Sequence, residues 1–147
     1  MLRTTVLSFL LAFFALSANA QSQTVATLGE ARKVADGIMG SVGAGNYEAA
    51  WKHMKPYAVV PAAEFDAFSA QFASQLPNIL QRYGSAVGSE FVREEKAGDS
   101  LVRLIYLAKH QKSAMRWFFV FYRGEKGWVL SDFKFDGNVI ALFPGQG

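Results

Sequence analysis

The sequence predicts a single α+β domain in which three helices precede a four-stranded antiparallel sheet. Up to Gly88 the apolar residues recur at spacings of three and four, the period of a helix, and from Ser89 onward they recur at a spacing of two, the period of a strand. The loops expected between strands are short, which favours an antiparallel meander with the helices on one face. A chain of 147 residues with 51% hydrophobic content is long enough for one packed core.

The first 20 residues have the three-part pattern of a secretory signal peptide. Arg3 gives a positive start, residues 6–16 are apolar except for Ser8, and residues 18–20 read Ala-Asn-Ala, with small side chains where a signal peptidase reads. The apolar run would rise about 16 Å as a helix, against about 30 Å for the hydrocarbon core of a bilayer. We therefore expect cleavage after Ala20, a domain over residues 21–147 without a membrane span, and a periplasmic or fully exported protein.

Two helices are predicted at the start of the mature chain. Thr27 and Glu30 have the spacing of a capping box, and the helix should end near residues 43–45, where glycine accepts positive φ. Its apolar stripe is Leu28, Ala31, Ala35, Ile38, Met39 and Val42. Asn46 can cap a second, short helix that ends at Pro56. The apolar face of this second helix is Tyr47, Ala50, Trp51 and Met54.

A third helix is predicted to start at Pro61, which suits a first helical turn. Pro77 lacks the amide that would continue the hydrogen-bond ladder, so a kink or a break is expected there. The apolar stripe before it is Phe65, Phe68, Phe72 and Leu76, and beyond it Ile79, Leu80 and Tyr83 extend the pattern.

Four strands are predicted in the second half of the chain. They cover residues 91–96, 101–110, 115–123 and 128–135, separated by turns rich in glycine and polar residues. The first of them is rich in charge, which is typical of an edge strand. Residues 139–143 are predicted to form either a short final strand or a tail lying over the body.

Several stretches of sequence carry a family resemblance. Residues 45–51 read Gly-Asn-Tyr-Glu-Ala-Ala-Trp, residues 117–122 read Trp-Phe-Phe-Val-Phe-Tyr, and residues 127–130 and 133–135 read Gly-Trp-Val-Leu and Phe-Lys-Phe. Over residues 24–143 the chain resembles small secreted bacterial members of the nuclear-transport-factor-two-like (cystatin-like cone) superfamily. The resemblance implies a curved, cone-like sheet. That superfamily hosts isomerases, cyclases, dehydratases, transport factors and binding domains, so the resemblance does not choose an activity.

The expected strand register decides which aromatic residues face solvent. A three-residue loop at 111–113 would pair Tyr106 with Phe118 and place the more uniformly apolar face under the helices. The opposite face would then expose four aromatic residues ringed by charge, namely Trp117, Phe119, Phe121 and Trp128. Such a patch indicates an interface, and members of the resembled superfamily commonly pair through this face, so a homodimer is expected. The alternative is that the tail, residues 139–143, covers these side chains.

The same register leaves three polar side chains facing the helices as candidates for a ligand pocket. They are Tyr106, Tyr122 and Arg116. They could orient a small ligand in the mouth of the cone. The competing interpretation is structural, because buried hydroxyl and guanidinium groups need partners, such as backbone carbonyls or the carboxylates of Glu48 or Asp36.

Asp132 is the one carboxylate within the two central hairpins that could act as a base. In the expected register it lies opposite the helices, where a salt bridge to Arg103 or Lys134 is the simpler role. A slip of one residue would move Asp132 to the helix side, where it could form an acid–base pocket with Tyr106 and Tyr122.

Other chemistries have little support in the sequence. The histidines, His53 and His110, are expected to be solvated, and with no cysteine they do not form a metal-site pattern. The net charge is +3 with scattered Lys and Arg, which argues against nucleic-acid binding. No phosphate-binding glycine loop or nucleophile elbow is present, and no cofactor is predicted.

The function predicted from the sequence is therefore a secreted or periplasmic, non-enzymatic domain that binds a hydrophobic small molecule or an envelope protein. Two alternatives stay open. One is a cone-fold isomerase, cyclase or dehydratase, and the other is a structural or inhibitory partner protein that acts through its open sheet face.

Overall fold

The computed structural model describes residues 22–145, and the predicted leader lies outside this part of the chain. Three helices precede a curled but open antiparallel sheet, so the predicted α+β class is confirmed. The sheet order is β1-β2-β3-β4, a simple meander. No helix among the described residues is long and apolar enough to cross a membrane. The elements are α1 (Leu28–Gly43), α2 (Tyr47–Met54), α3 (Ala62–Tyr83), β1 (Ala86–Ala97), β2 (Leu101–His110), β3 (Ala114–Gly124), β4 (Gly127–Asp136) and a 3₁₀ turn η1 (Val139–Leu142).

The start of α1 is fixed by the predicted capping box. The Glu30 amide donates to Thr27 Oγ1, and the Thr27 amide donates to Glu30 Oε2, each over 3.1 Å. At its other end α1 lies so close to β1 that a Cβ added to Gly43 would be 2.6 Å from the carbonyl carbon of Gly88. This close approach seats the helix on the concave, inner face of the sheet.

Helix α3 runs without interruption through Pro77, so a break there is wrong. Pro77 removes the amide that would bond the carbonyl of Ala73, but both residues are exposed, so water can hydrate that carbonyl. Helix α1 packs directly on α2, β1 and β2, whereas α3 makes no comparably close backbone approach to another element. Of the α3 side chains, only Phe65 and Phe72 are fully buried.

The register between β2 and β3 differs by one residue from the expected one. Tyr106 pairs with Trp117 rather than with Phe118. The connection has two residues instead of three, because the His110 amide still donates to the Ser113 carbonyl over 2.9 Å. Since side chains alternate along a strand, this shift turns β3 over relative to the prediction.

A second irregularity lies between β3 and β4. Phe121 pairs with Leu130 and Val120 pairs with Asp132, so Ser131 is the extra residue of a β-bulge. Its hydroxyl donates to the Val120 carbonyl over 3.1 Å. The bulge lets both ends of β4 place aromatic side chains on the inner face, with Asp132 on the outer face. The inner-face side chains of β4 are Trp128, Leu130, Phe133 and Phe135.

The two edges of the sheet are protected in different ways. Along the edge of β4, the amide and carbonyl of Trp128 both form backbone hydrogen bonds with Val25. The Leu130 amide donates to the Tyr57 carbonyl, and the Leu130 carbonyl accepts from the Val59 amide. At β1, charged side chains and two register irregularities follow the free edge.

The segment after β4 crosses the outer, convex face of the sheet. It forms the 3₁₀ turn η1 rather than a strand, and its Leu142 carbonyl accepts a 2.9 Å hydrogen bond from Arg93 Nη1. Its apolar side chains lie beside Leu107 and Ala114. Of the two predicted forms of this segment, the tail over the body is therefore the observed one.

Candidate functional site: an aromatic cleft between the second and third helices

A cleft between α2 and α3 has a volume of about 480 Å³. Its floor is apolar and its rim is polar. The position of Gly45 at φ 73° allows the tight turn that starts α2 at this point. The lining residues are Gly45, Asn46, Tyr47, Glu48, Trp51, Ser69, Ala70, Phe72, Ala73 and Leu76.

Aromatic rings attach α3 to the rest of the molecule. The ring of Trp51 lies 5.0 Å from both Phe68 and Phe72, edge to face in each case. On the sheet side, Phe68 contacts Phe133 at 5.1 Å and Phe72 contacts Phe135 at 5.4 Å. The aromatic side chains of α3 therefore hold the helix backbone at a distance from the rest of the domain. The cleft is the space between these rings and the small residues of the helix.

Two polar groups in this aromatic region have no hydrogen-bond partner among the described residues. The hydroxyl of Tyr47 makes no hydrogen bond within residues 22–145, although the residue is only 8% exposed and lines the cleft. Burial raises the pKa of the Tyr47 phenol above 10.0, which keeps it neutral. Nε1 of Trp117 is buried and has no hydrogen-bond partner in residues 22–145, and this ring stacks on Trp51 at 5.8 Å.

Tyr106 faces the helices as predicted, but it is not open to a ligand. Its hydroxyl donates a 2.7 Å hydrogen bond to Asp36 Oδ1, which also accepts from Arg32 Nε over 2.8 Å. Burial, followed by the hydrogen bond to Asp36, raises the pKa of Tyr106 well above its usual value. The Arg32 guanidinium lies 3.2 Å from the centre of the Phe91 ring. The hydrogen bond to Asp36 agrees with the structural interpretation of Tyr106, which was the alternative to a ligand-binding role.

Arg116 and Tyr122 do not face the helices, because the register shift turns β3 over. Tyr122 is 47% exposed on the outer face. Arg116 also lies there and forms a two-point ion pair with Asp136, with Nη2 3.0 Å from Oδ2. This pair holds the pKa of Asp136 below its ordinary 3.8. The three pocket candidates, Tyr106, Tyr122 and Arg116, therefore do not line a common pocket.

The expected exposure of the four interface candidates is wrong for the same reason. All of them lie in the core on the inner face, and their relative exposures are Trp117 1%, Phe119 0%, Phe121 1% and Trp128 6%. The outer face instead carries Phe118, whose ring lies beneath Arg103, Arg116 and Lys134 at 4.8–5.5 Å.

The proposed acid–base pocket is not assembled either. Asp132 is exposed on the outer face, on the opposite side of the sheet from Tyr106, and it makes no ion pair within the described residues. His53 is exposed as expected, whereas His110 is buried, with Nδ1 2.8 Å from the Gly84 carbonyl. Residues 22–145 contain no cluster of three or more His, Asp or Glu suited to a metal.

Sequence reasoning assigned Tyr47, Trp51 and Phe72 to the core and so missed the cleft. The signal that could have shown it is the alternation on α3 of aromatic residues with small ones. Ser69, Ala70 and Ala73 leave room where larger side chains would have closed the gap against α2.

Comparison of the chain with protein-family models, with curated proteins and with solved structures finds no significant match. Membership of the nuclear-transport-factor-two-like superfamily therefore stays a prediction from the residues. The α+β architecture stands on the structure alone.

Proposed function

We propose that the protein is a non-enzymatic binding domain and that the α2–α3 cleft takes a small hydrophobic molecule. The observation that carries the proposal is the cleft itself. Its volume of about 480 Å³ is within the usual range for small-molecule sites. Its apolar floor is Tyr47, Trp51, Phe72 and Leu76, and the Tyr47 hydroxyl is an unused polar group on that floor.

The attachment of α3 supports this role. Between its two ends α3 is held mainly by ring contacts, so this part can shift by small side-chain movements. Its ends are fixed more firmly, because Asp66 pairs with Lys55 and the Tyr83 carbonyl accepts a 2.9 Å hydrogen bond from the Lys112 amide. Regions with few backbone contacts open at lower free energy than the core, and binding sites are commonly found there.

Fluorescence titration with the uncharged probe N-phenyl-1-naphthylamine tests the proposal. Ala73→Trp places a large side chain in the cleft from an exposed position, and we expect it to weaken probe binding at least tenfold. Ala67→Trp is the matched control, because Ala67 is exposed on the same helix outside the cleft lining. Absence of binding by the wild type, or equal binding by all three proteins, would overturn the proposal.

We also propose that the mature protein pairs through the outer face of the sheet. Of the seven large hydrophobic side chains that are most exposed in residues 22–145, four lie on this face or on the segment crossing it. Leu101 and Tyr122 are neighbours on the half of the outer face that the C-terminal segment leaves uncovered, the bare half. Ile140 and Phe143 belong to the segment that covers the other half, which is therefore the raised half. A two-fold axis would place the raised half of each copy over the bare half of the other.

Sedimentation velocity at micromolar concentration checks the pairing. We expect a dimer for the wild type and a monomer for Tyr122→Asp. Val59→Asp, at a position of similar exposure away from this face, should leave the dimer intact. A monomeric wild type counts against the pairing surface.

The proposed place of action is the periplasm or the exterior, and this rests on the leader pattern alone. Intact-mass measurement on the protein from the periplasmic fraction should give the mass of a chain starting at Gln21. The full-length mass in the cytoplasmic fraction would contradict export.

A further inference from the structure

The electrostatics of the cleft distinguish between classes of ligand. Among the described residues that line it, Glu48 is the one charged side chain, and no Lys, Arg or His is present. Glu48 is exposed and makes no ion pair within residues 22–145. Lys52 stands one turn further along α2 but does not line the cleft.

A backbone acceptor adds to this negative character. Ala73 lines the cleft, and its carbonyl has no partner four residues ahead, because Pro77 has no amide hydrogen. The hydroxyl of Tyr47 can accept a hydrogen bond as well as donate one. The rings of Tyr47, Trp51 and Phe72 line the floor, but they are only 8%, 7% and 4% exposed and pack on one another, so they supply apolar contact rather than an open cation-binding face.

One feature of the cleft favours an anion instead. The first turn of α2 borders it, and the unpaired amides at a helix N-terminus carry partial positive charge. Glu48 occupies this same turn and already complements the helix dipole. The Asn46 Oδ1 accepts a 3.1 Å hydrogen bond from the Ala49 amide. An anionic ligand would meet the Glu48 carboxylate before it reached the remaining amides.

We infer that the ligand of the cleft is an amphiphilic organic ammonium ion, with an N–H-bearing cationic head and a short apolar body. The inference rests on the proposed binding function. The head lies at the rim, where the Glu48 carboxylate and the Ala73 carbonyl accept its hydrogens. The body lies on the floor against Trp51, Phe72 and Leu76.

Calorimetric titration with three ligands of one chain length tests the inference. Octylammonium, octanol and octanoate share the apolar body and differ in head-group charge. We expect affinity to fall in that order. Glu48→Gln should weaken octylammonium binding about two- to fivefold, the effect of one exposed ion pair, and leave octanol binding unchanged.

Glu64→Gln is the matched control, because Glu64 is an exposed glutamate in the first turn of α3 outside the cleft lining. It changes the net charge equally and should leave all three affinities unchanged. Equal weakening by both substitutions would show a long-range charge effect and overturn the inference. Equal binding of the three ligands, or a preference for octanoate, would overturn it too.

These outcomes are separable from failure of the cleft as a site. If N-phenyl-1-naphthylamine binds the wild type and Ala73→Trp abolishes it, the binding function stands whatever the head-group order. If neither the probe nor any octyl ligand binds, both the binding function and the ammonium preference fall.

Discussion

The hydroxyl of Tyr106 donates a 2.7 Å hydrogen bond to the carboxylate of Asp36, joining the second strand to the first helix. Tyr106 is almost completely buried, whereas the Asp36 side chain is 48% exposed. The bond thus lies at the boundary between core and solvent. Arg32 closes the network from the solvent side by pairing with Asp36 over the Phe91 ring.

Removal of this hydroxyl should destabilise the fold moderately. For Tyr106→Phe we expect a loss of about 1 kcal/mol in the free energy of unfolding, less than the usual value for a bond to a buried charge, because water can reach Asp36. Urea denaturation measures the loss. Tyr122→Phe, which removes an exposed hydroxyl, should stay within about 0.5 kcal/mol of wild type. Equal effects of the two substitutions would contradict a role for the Asp36 bond.

Two glycines of α1 should respond oppositely to alanine. A Cβ at Gly43 would meet the backbone of Gly88 and Ser89 at 2.6–2.7 Å, so Gly43→Ala must push the helix from the sheet and should destabilise the protein. A Cβ at Gly40 meets nothing within 4 Å, so Gly40→Ala should stabilise it by about 0.5–1 kcal/mol through helix propensity. Thermal unfolding of both variants checks this, and a Gly43→Ala variant at least as stable as the wild type would refute the close approach.

Acid should weaken the ion pair of Arg116 and Asp136. Hydrogen bonding from Arg116 is the main cause that lowers the pKa of Asp136 in the folded state below its ordinary 3.8. The stabilisation is therefore complete above the unfolded-state pKa and is lost as pH falls through the lower, folded-state value. In Arg116→Met the pKa of Asp136 should rise toward 3.8, and unfolding free energy should depend less steeply on pH in this acid range.

NMR titration of the Asp136 carboxyl, with urea denaturation from pH 2 to pH 7, measures both effects. Arg123→Met removes an exposed arginine that makes no ion pair within the described residues, so it should leave the titration unchanged. An unaltered pKa of Asp136 in Arg116→Met would count against the pair.

Trp117 should behave as a core residue. Its ring is 1% exposed and stacks on Phe135 at 4.5 Å, so Trp117→Ala should cost about 3–5 kcal/mol. Trp117→Phe should cost much less, because it keeps a ring in place and removes the unpaired Nε1 donor. Denaturant unfolding at two protein concentrations separates this folding effect from association. A stable Trp117→Ala variant would contradict the core position.

Local signals in the sequence predicted most elements of the fold. The capping box at Thr27 and the cap at Asn46 are contained within four consecutive residues each, and both helices start where these residues indicate. Such features depend on neighbours in the chain, so a single sequence is sufficient to find them.

The faces of the sheet could not be predicted in the same way, because they depend on the pairing of distant residues. Because the 111–113 loop is one residue shorter than expected, Trp117 lies on the inner face of the sheet and Phe118 on the outer face, the reverse of the prediction. The bulge at Ser131 then restored Phe133 and Phe135 to the predicted side. Neither residue of the Gln111–Lys112 turn, nor Ser131, carries a strong signal for these irregularities.

The cleft depends on a still longer-range feature, the distance at which α3 stands from α2. Hydrophobic periodicity identifies Phe65, Phe68 and Phe72 as one stripe but does not say how deeply each ring is buried. That depth follows from the partner rings Trp51 and Phe135, which come from other parts of the chain.

The protection of both sheet edges has a consequence for aggregation. An open strand edge is a template for fibril growth, and proteins blunt such edges with bulges, charge or covering segments. Here Val25 occupies the backbone groups of Trp128 on one side, while charges and irregular pairing follow β1 on the other. Strand-to-strand polymerisation of the native chain is thereby disfavoured, even at the high concentrations of a crowded compartment.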